Sequence, residues 1–260
     1  MKTAFITGAT VNTGYGVAEK FLSEGWRVVI TSRKKDQLDC AMASLGAKYG
    51  ADNISGYILD AVRADNSVNE ELLDSIFADM DEKGISIDCL VLNAANLGIR
   101  QRIFENPLSD FMNVINTNVV LNYALVERAA RRMKEKNDGS IVFVNSNTAY
   151  RAIPDRIAYC TSKSAQLGMM RALAIDLGKF NIRVNAVLPG MIKTDRWQNN
   201  YNDCRNALSN YTPLGDIAEF SDIADAVWYF AAHARNTTGA ELTVDGGNTV
   251  QLYPIVPKNI

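Results

Sequence analysis

The chain has 260 residues, 47% of them hydrophobic and 22% charged, with a formal net charge of −2 and a pI near 5.6. These are the proportions of a soluble globular protein, with length for one large α/β domain or two small ones and no global field favouring nucleic acid or an anionic membrane. No apolar run approaches the roughly 18–20 residues of a membrane span, and MKTAFITGAT at the start lacks a signal-peptide core, so a cytoplasmic protein is expected.

Short apolar runs alternate with longer amphipathic segments, the pattern of βαβ units in a parallel sheet. Strands are predicted near residues 3–7, 27–31, 54–59, 87–92, 141–145, 183–188 and 241–244. The spacing predicts helices from Gly14 to Gly25, over 35–49, from Asp65 or Ser67 to about 81, over 108–136, from Tyr159 to Gly178, and over 220–232. Ser67-x-x-Glu70 reads as a capping box opening the third of these. Right-handed crossovers make the whole an α/β doubly wound parallel sheet, Rossmann-type, with seven strands and helices on both faces. No linker, repeat or low-complexity stretch interrupts it, so residues 1–260 read as a single domain.

The ends of the strands carry the chemistry in chain order. After the first strand, Thr7-Gly8-Ala9-Thr10-Val11-Asn12-Thr13-Gly14-Tyr15-Gly16 is either a structural turn or a place where a pyrophosphate meets a helix N-terminus. After the second comes Thr31-Ser32-Arg33-Lys34-Lys35, and after the third Asp60, either an adenine acceptor or a turn residue. Asn93-Ala94-Ala95-Asn96 after the fourth are small enough to let a ribose pass, or simply make a turn. Asn118 sits among apolar residues in mid-helix, a poor place for Asn; it holds either a kink and a water chain to Lys163 or an ordinary polar contact.

The stretch from Ile141 to Lys163 organises the rest. An apolar run ends just before Ser146, and Tyr159 and Lys163 lie four apart on a predicted helix, within reach of each other. A free Tyr titrates near about 10, and a neighbouring ammonium favours its phenolate, which suits proton transfer coupled to hydride transfer. With ten Tyr and twelve Lys in the chain, chance supplies roughly half a match to such a pair, so the pair alone decides nothing. After the sixth strand, Pro189-Gly190-Met191-Ile192-Lys193-Thr194 can close over a nicotinamide or merely turn. The only histidine, His233, cannot make a multi-histidine metal site or a Ser-His-Asp triad and reads as a surface helix-end residue; no metal is expected. The four cysteines are scattered and read as free thiols.

Taken in order, Thr7-Gly8 with Gly14 and Gly16, Asp60, Asn93-Ala94-Ala95, Asn118, Ser146, Tyr159-x-x-x-Lys163, Pro189-Gly190, Thr194 and Val244-Asp245-Gly246-Gly247 resemble the short-chain dehydrogenase/reductase family, single-domain type, over nearly the whole chain. The resemblance implies an oxidoreductase interconverting a secondary alcohol and a ketone. Tyr159 is then the general acid/base and Ser146 orients the carbonyl. Lys163 lowers the tyrosine pKa and binds the nicotinamide ribose, and Asn118 supports a relay water. Around the dinucleotide it implies Gly8, Thr10, Gly14, Tyr15 and Gly16, then Ser32, Arg33, Asp60 and Ala61. Asn93, Ala94 and Ala95 follow, with Tyr159 and Lys163, and finally Pro189, Gly190, Ile192 and Thr194. Asn96, Thr148 and Trp197 are the substrate candidates. A homotetramer is implied as well, and the apolar tail Leu252–Pro257 suits packing on a partner subunit.

Two features depart from the pattern. Five residues separate Gly8 from Gly14, where the family usually has three; that length is similar to the enoyl-thioester reductases. Those, however, separate Tyr and Lys by six residues, and here there are three, which favours ketone/alcohol chemistry over double-bond reduction. A catalytically idle dinucleotide-binding regulator is the alternative from another class. NADP(H) is expected over NAD(H). Ser32 stands where the family usually has a carboxylate, and three cations follow at a helix start, where the dipole opposes them by about 0.3–1 kcal/mol each unless an anion compensates. Asp36 is the one group there that favours NAD. Residues 191–219 read as a substrate lid. Its Trp197, Tyr201 and Tyr211 among several Asn suit either a polar ring, such as a sugar or polyol, or a solvated lid; residues 249–260 form a chain-specific tail.

Overall fold

The computed structural model describes residues 1–194 and 211–252. Seven parallel strands form one sheet: β1 (Thr3–Ile6), β2 (Arg27–Ser32), β3 (Ile54–Ile58), β4 (Cys89–Leu92), β5 (Gly139–Val144), β6 (Ile182–Pro189) and β7 (Glu241–Val244), in the spatial order β3-β2-β1-β4-β5-β6-β7. Among the described residues the helices are α1 (Asn12–Ser23), α2 (Lys35–Tyr49), α3 (Glu70–Glu82), α4 (Leu108–Ile115), α5 (Leu121–Lys136), α6 (Ile157–Gly178) and α7 (Phe220–Trp228). Every predicted strand is present, with boundaries moved by one or two residues.

Strand side chains alternate between two cores because successive residues point to opposite faces. Ala4, Ile6, Val28, Ile30, Val91 and Val142 pack with α1, α2 and α7 on one face. Phe5, Val29, Leu90, Leu92, Ile141 and Phe143 pack with α3, α5 and α6 on the other. A sheet covered on both faces needs near-continuous apolar strands, which is why the runs were legible. The chain order reverses between β1 and β4, so their carboxyl ends open a crevice.

Two local expectations change. Ser67-x-x-Glu70 is not the box that opens α3: Asn69 is the N-cap and its side chain accepts from the Leu72 N–H at 3.2 Å. Ser67 is used earlier, bonding through N–H and hydroxyl to Asp65, while Val62 and Val68 form an antiparallel bridge. That hook holds the chain non-helical until Asn69. The long predicted helix is interrupted by a π-helical segment, Asn116–Val120, between α4 and α5. A second π-helical segment, Tyr229–His233, closes α7; the exposed His233 ends it, with its ring against Trp228.

Candidate active site

A cleft of about 330 Å³ lies over the carboxyl ends of β1–β4. Its floor is a set of mutual bonds between strand ends. The Thr7 hydroxyl, 1% exposed, accepts from the Asn93 and Ala94 N–H groups, both at 3.0 Å. The Asn93 amide donates to the Thr7 and Gly8 carbonyls at 3.0 Å each, and Gly8 donates to the Thr31 hydroxyl at 3.1 Å. These bonds fix three strand ends relative to one another.

Two glycines shape the turn into α1. Gly8 has φ +62°, a conformation other residues resist, and a Cβ on Gly14 would fall 2.3 Å from the Gly8 carbonyl oxygen. The N-cap of α1, Val11, offers no side-chain cap, and no acidic residue stands in the first turn. The first N–H groups of that helix are thus without a side-chain cap, the condition an anion at a helix N-terminus exploits.

Of the expected cofactor residues, Gly8, Thr10, Ser32, Arg33, Asp60, Ala61, Asn93, Ala94 and Ala95 line this cleft, and so does the substrate candidate Asn96. Gly14 abuts Gly8 and Asn93. Tyr15 and Gly16 do not line it. The Tyr15 hydroxyl meets Ser44 at 2.8 Å, and Gly16 lets α1 approach Phe220 of α7. Both meet a neighbouring helix. Pro189 ends β6, Gly190 donates to the Val244 carbonyl at 3.0 Å, and Ile192 pairs with Ala218. Thr194 is the last described residue before 195–210; Trp197 and Tyr201 lie outside the described residues, as do positions 253–260. The residues that fit a dinucleotide are thus the capless α1 turn and the strand-end clamp for its phosphates and riboses, with Arg33 and Lys34 beside Ser32.

The Tyr–Lys–Ser set sits where β5 runs under α6. The Lys163 ammonium donates to the Val144 carbonyl at 3.0 Å and lies 5.7 Å from the centre of the Tyr159 ring, within range of a cation–π contact. Asn145 donates to the Lys163 carbonyl at 2.9 Å, which pins Ser146 beside the same helical turn. The Ser146 hydroxyl accepts from the Thr148 N–H at 3.2 Å, and the buried Thr148 hydroxyl oxygen has no hydrogen-bond partner among the described residues. Asn118 is fully buried in the π-helical segment. Its side chain accepts from the Asn96 N–H at 2.7 Å and donates to the Asn96 carbonyl at 2.8 Å and to Ser162 at 2.9 Å. Ser162 in turn donates to the Tyr159 carbonyl at 2.8 Å. Bonds of this kind bring Asn118, Ser146, Tyr159 and Lys163 together.

Sequence reading missed several participants. Asn145 and Gln166 are buried polar residues contacting Lys163, and Asn122 lines the cleft with its buried amide nitrogen unpartnered among the described residues. Arg156, just before α6, holds the loop after β4 through the Leu97 and Gly98 carbonyls at 3.0 and 2.7 Å. The available signal was a polar residue in an apolar setting.

Residues 8–249 match a family model described as enoyl-(acyl carrier protein) reductase. The chain is 34% identical over 255 residues to an L-rhamnose 1-dehydrogenase (NAD(P)(+)) of Azotobacter vinelandii, covering 96% of this chain and 98% of that one. It is 31% identical over 251 residues to a 3alpha-hydroxysteroid dehydrogenase of Mediterraneibacter gnavus, covering 94% and 96%. Among solved structures it is similar to ElxO with NADP bound, at 29% identity and a TM-score of 0.87 over 96% of this chain and 99% of that one.

Lys163 yields a pH prediction. Burial pulls its ammonium down from 10.5 to about 7. The unfolded chain keeps the ordinary value, so between the two the unfolded state binds the extra proton and stability rises with pH. The cost of the buried charge is complete below about 7 and is relieved toward 10.5. Without cofactor, the melting temperature of the wild type should gain on that of Lys163→Met as pH is raised from 7 to 10; parallel curves across that window would refute the burial effect.

Proposed function

The chain belongs to the short-chain dehydrogenase/reductase family, NAD(P)-dependent oxidoreductases acting on CH–OH groups, and from that premise we propose that it interconverts a secondary alcohol and a ketone with NADP(H), using Tyr159 as general acid/base. The observation that carries this is the buried Lys163 ammonium facing the Tyr159 ring with Ser146 held at the adjoining strand end. The cofactor supplies or accepts the hydride. The protein's part is proton handling: Tyr159 gives its phenolic proton to the carbonyl oxygen in reduction and takes it back in oxidation, the ammonium favours the phenolate, and the Ser146 hydroxyl orients the oxygen. The three-residue gap between Tyr159 and Lys163 supports this over enoyl reduction, the activity named by the matching family model's description. A polar ring such as a sugar or polyol is the substrate class we favour, in line with the amide-rich segment before β7 and the rhamnose dehydrogenase relative. No helix among the described residues is long and apolar enough to cross a membrane. We also infer a homo-oligomer, in keeping with the exposed Val120 and Tyr123 on the flank of α5; light scattering giving the mass of one chain would rule it out.

Tyr159→Phe should lower turnover about 10²–10⁴-fold, the usual worth of a positioned acid/base, while NADPH still binds. The assay is NADPH consumption with a panel of sugar-like, polyol, steroid and acyl ketones and the matching alcohols. Variant turnover near wild type would sink the mechanism. Wild-type protein that binds NADPH yet turns over nothing in the panel would favour the idle regulator.

The preference for NADP rests on Arg33 and Lys34. Both line the cleft and are exposed, and among the described residues neither pairs with a carboxylate, whereas Lys35 pairs with Asp39 at 2.8 Å. Asp36 does not line the cleft. A guanidinium matches a 2′-phosphate, and a charge-assisted bond of roughly 1.5–3 kcal/mol corresponds to about ten- to a hundredfold discrimination. Arg33→Ala should lower kcat/KM for NADPH by that factor and leave NADH nearly unchanged. A wild type that prefers NADH would overturn the assignment.

A further inference from the structure

We propose that Gln166 is a positioning residue for the proton-transfer pair, its neutral amide holding the Lys163 ammonium charged and in place without cancelling the field that charge exerts on Tyr159. The proposal rests on the Tyr159–Lys163 chemistry above and deepens it. Gln166 is 1% exposed and three residues beyond Lys163 on α6. Its Oε1 accepts from Lys163 Nζ at 3.3 Å and from Asn145 Nδ2 at 3.0 Å, and its Nε2 donates to the Asn118 carbonyl at 2.7 Å. The amide's orientation is fixed by its partners. Asn145 Oδ1 accepts from the Ser146 N–H at 2.7 Å, so Asn145 must present its nitrogen to the Lys163 carbonyl and to Gln166. Gln166 must then present its oxygen to two donors and its nitrogen to a carbonyl. One buried amide thereby joins α6, the end of β5 and the π-helical segment.

The chemistry explains why an amide suits this place. An ammonium has three donors; the Val144 carbonyl and Gln166 Oε1 take two, leaving one for Tyr159 or a ribose hydroxyl. The groups packed around it are the Tyr159 ring from α6, Val144, Asn145 and Ser146 from β5 and the residues after it, and, through Gln166, Asn118 from the π-helical segment. Among the described residues none of these is a carboxylate, and burial pulls the ammonium's pKa down. A carbonyl dipole opposite an ammonium favours its charged form against that burial. A carboxylate would do so more strongly, but it would offset the positive field that lowers the tyrosine pKa.

The test is the pH dependence of alcohol oxidation in Gln166→Met and Gln166→Glu, with Tyr159→Phe as reference. Tyr159 and Lys163 titrate as a coupled pair, and oxidation needs the singly deprotonated form with phenolate and ammonium. Gln166→Met keeps the length but removes the acceptor, so the amine form competes. The apparent pKa at which activity appears should fall by about half a unit or more and the plateau kcat by about three- to tenfold. Gln166→Glu keeps the shape and adds a charge, so the same pKa should rise by about half a unit or more. Opposite displacements are what a purely structural residue would not produce. Should the Met variant not fold, the isosteric Glu variant alone decides: a rise supports the proposal, and an unchanged or lowered pKa overturns it. Both variants titrating as wild type, or moving in one direction, overturn it while Tyr159→Phe remains inactive. An active Tyr159→Phe overturns the underlying mechanism and this inference with it.

Discussion

A buried ammonium is the constraint to which the rest of the site conforms. Lys163 is 1% exposed, and taking an ion from water costs several kcal/mol even after relaxation. Among the described residues the usual remedy, a carboxylate partner, is not used. Two carbonyl oxygens serve instead, Val144 at the end of β5 and the Gln166 amide, and they leave the positive charge uncancelled beside Tyr159. The strand must therefore stop beneath α6, Asn145 must turn inward to orient Gln166, and Ser146 follows as the next residue. The position of the Ser146 hydroxyl is thus a consequence of how the lysine is accommodated.

The π-helical segment is the second consequence. Its widened turn lets Asn118 direct its side chain to the Asn96 backbone and its own carbonyl to Gln166. One residue then ties the loop after β4 to the helix carrying Tyr159 and Lys163, and Arg156 adds a second tie one residue beyond. The dinucleotide cleft is organised differently. Its floor is stiffened by polar groups bonding to one another around Thr7 and Asn93, while α1 has no side-chain cap and, among the described residues, the Arg33 and Lys34 side chains pair with no carboxylate. A rigid floor with free donors at its rim is the arrangement that preorganises binding.

The frame was legible because its signals are strong and repeated. Both faces of the sheet are covered, so the strands read as apolar runs and alternation sorted them between two cores. Tyr159 and Lys163 were legible through helical spacing, and Asn118 as a residue out of place. What failed was local competition. Ser67 and Asn69 are both good caps, and only the Val62–Val68 bridge, a contact invisible to spacing, selects Asn69. Gly16 also lies against Phe220 of α7, a contact that spacing does not reveal. Asn145 and Gln166 escaped notice because an isolated polar residue on a helix or at a strand end reads as solvent-facing until its neighbours are known.

The division between frame and periphery also bears on substrate choice. Within the frame almost every polar group is engaged: Asn118, Asn145 and Gln166 bond chiefly within the protein, and Thr7 and Asn93 do the same under the cleft. Side chains engaged in this way have little hydrogen-bonding capacity left with which to recognise a further molecule. Among the described residues, unpartnered buried polar atoms lie outside that network, in the Thr148 hydroxyl and the Asn122 amide. Chains that share this frame can therefore diverge widely in what they act on without disturbing its chemistry, because a fold places the reacting groups while the loops at its strand ends choose what reaches them.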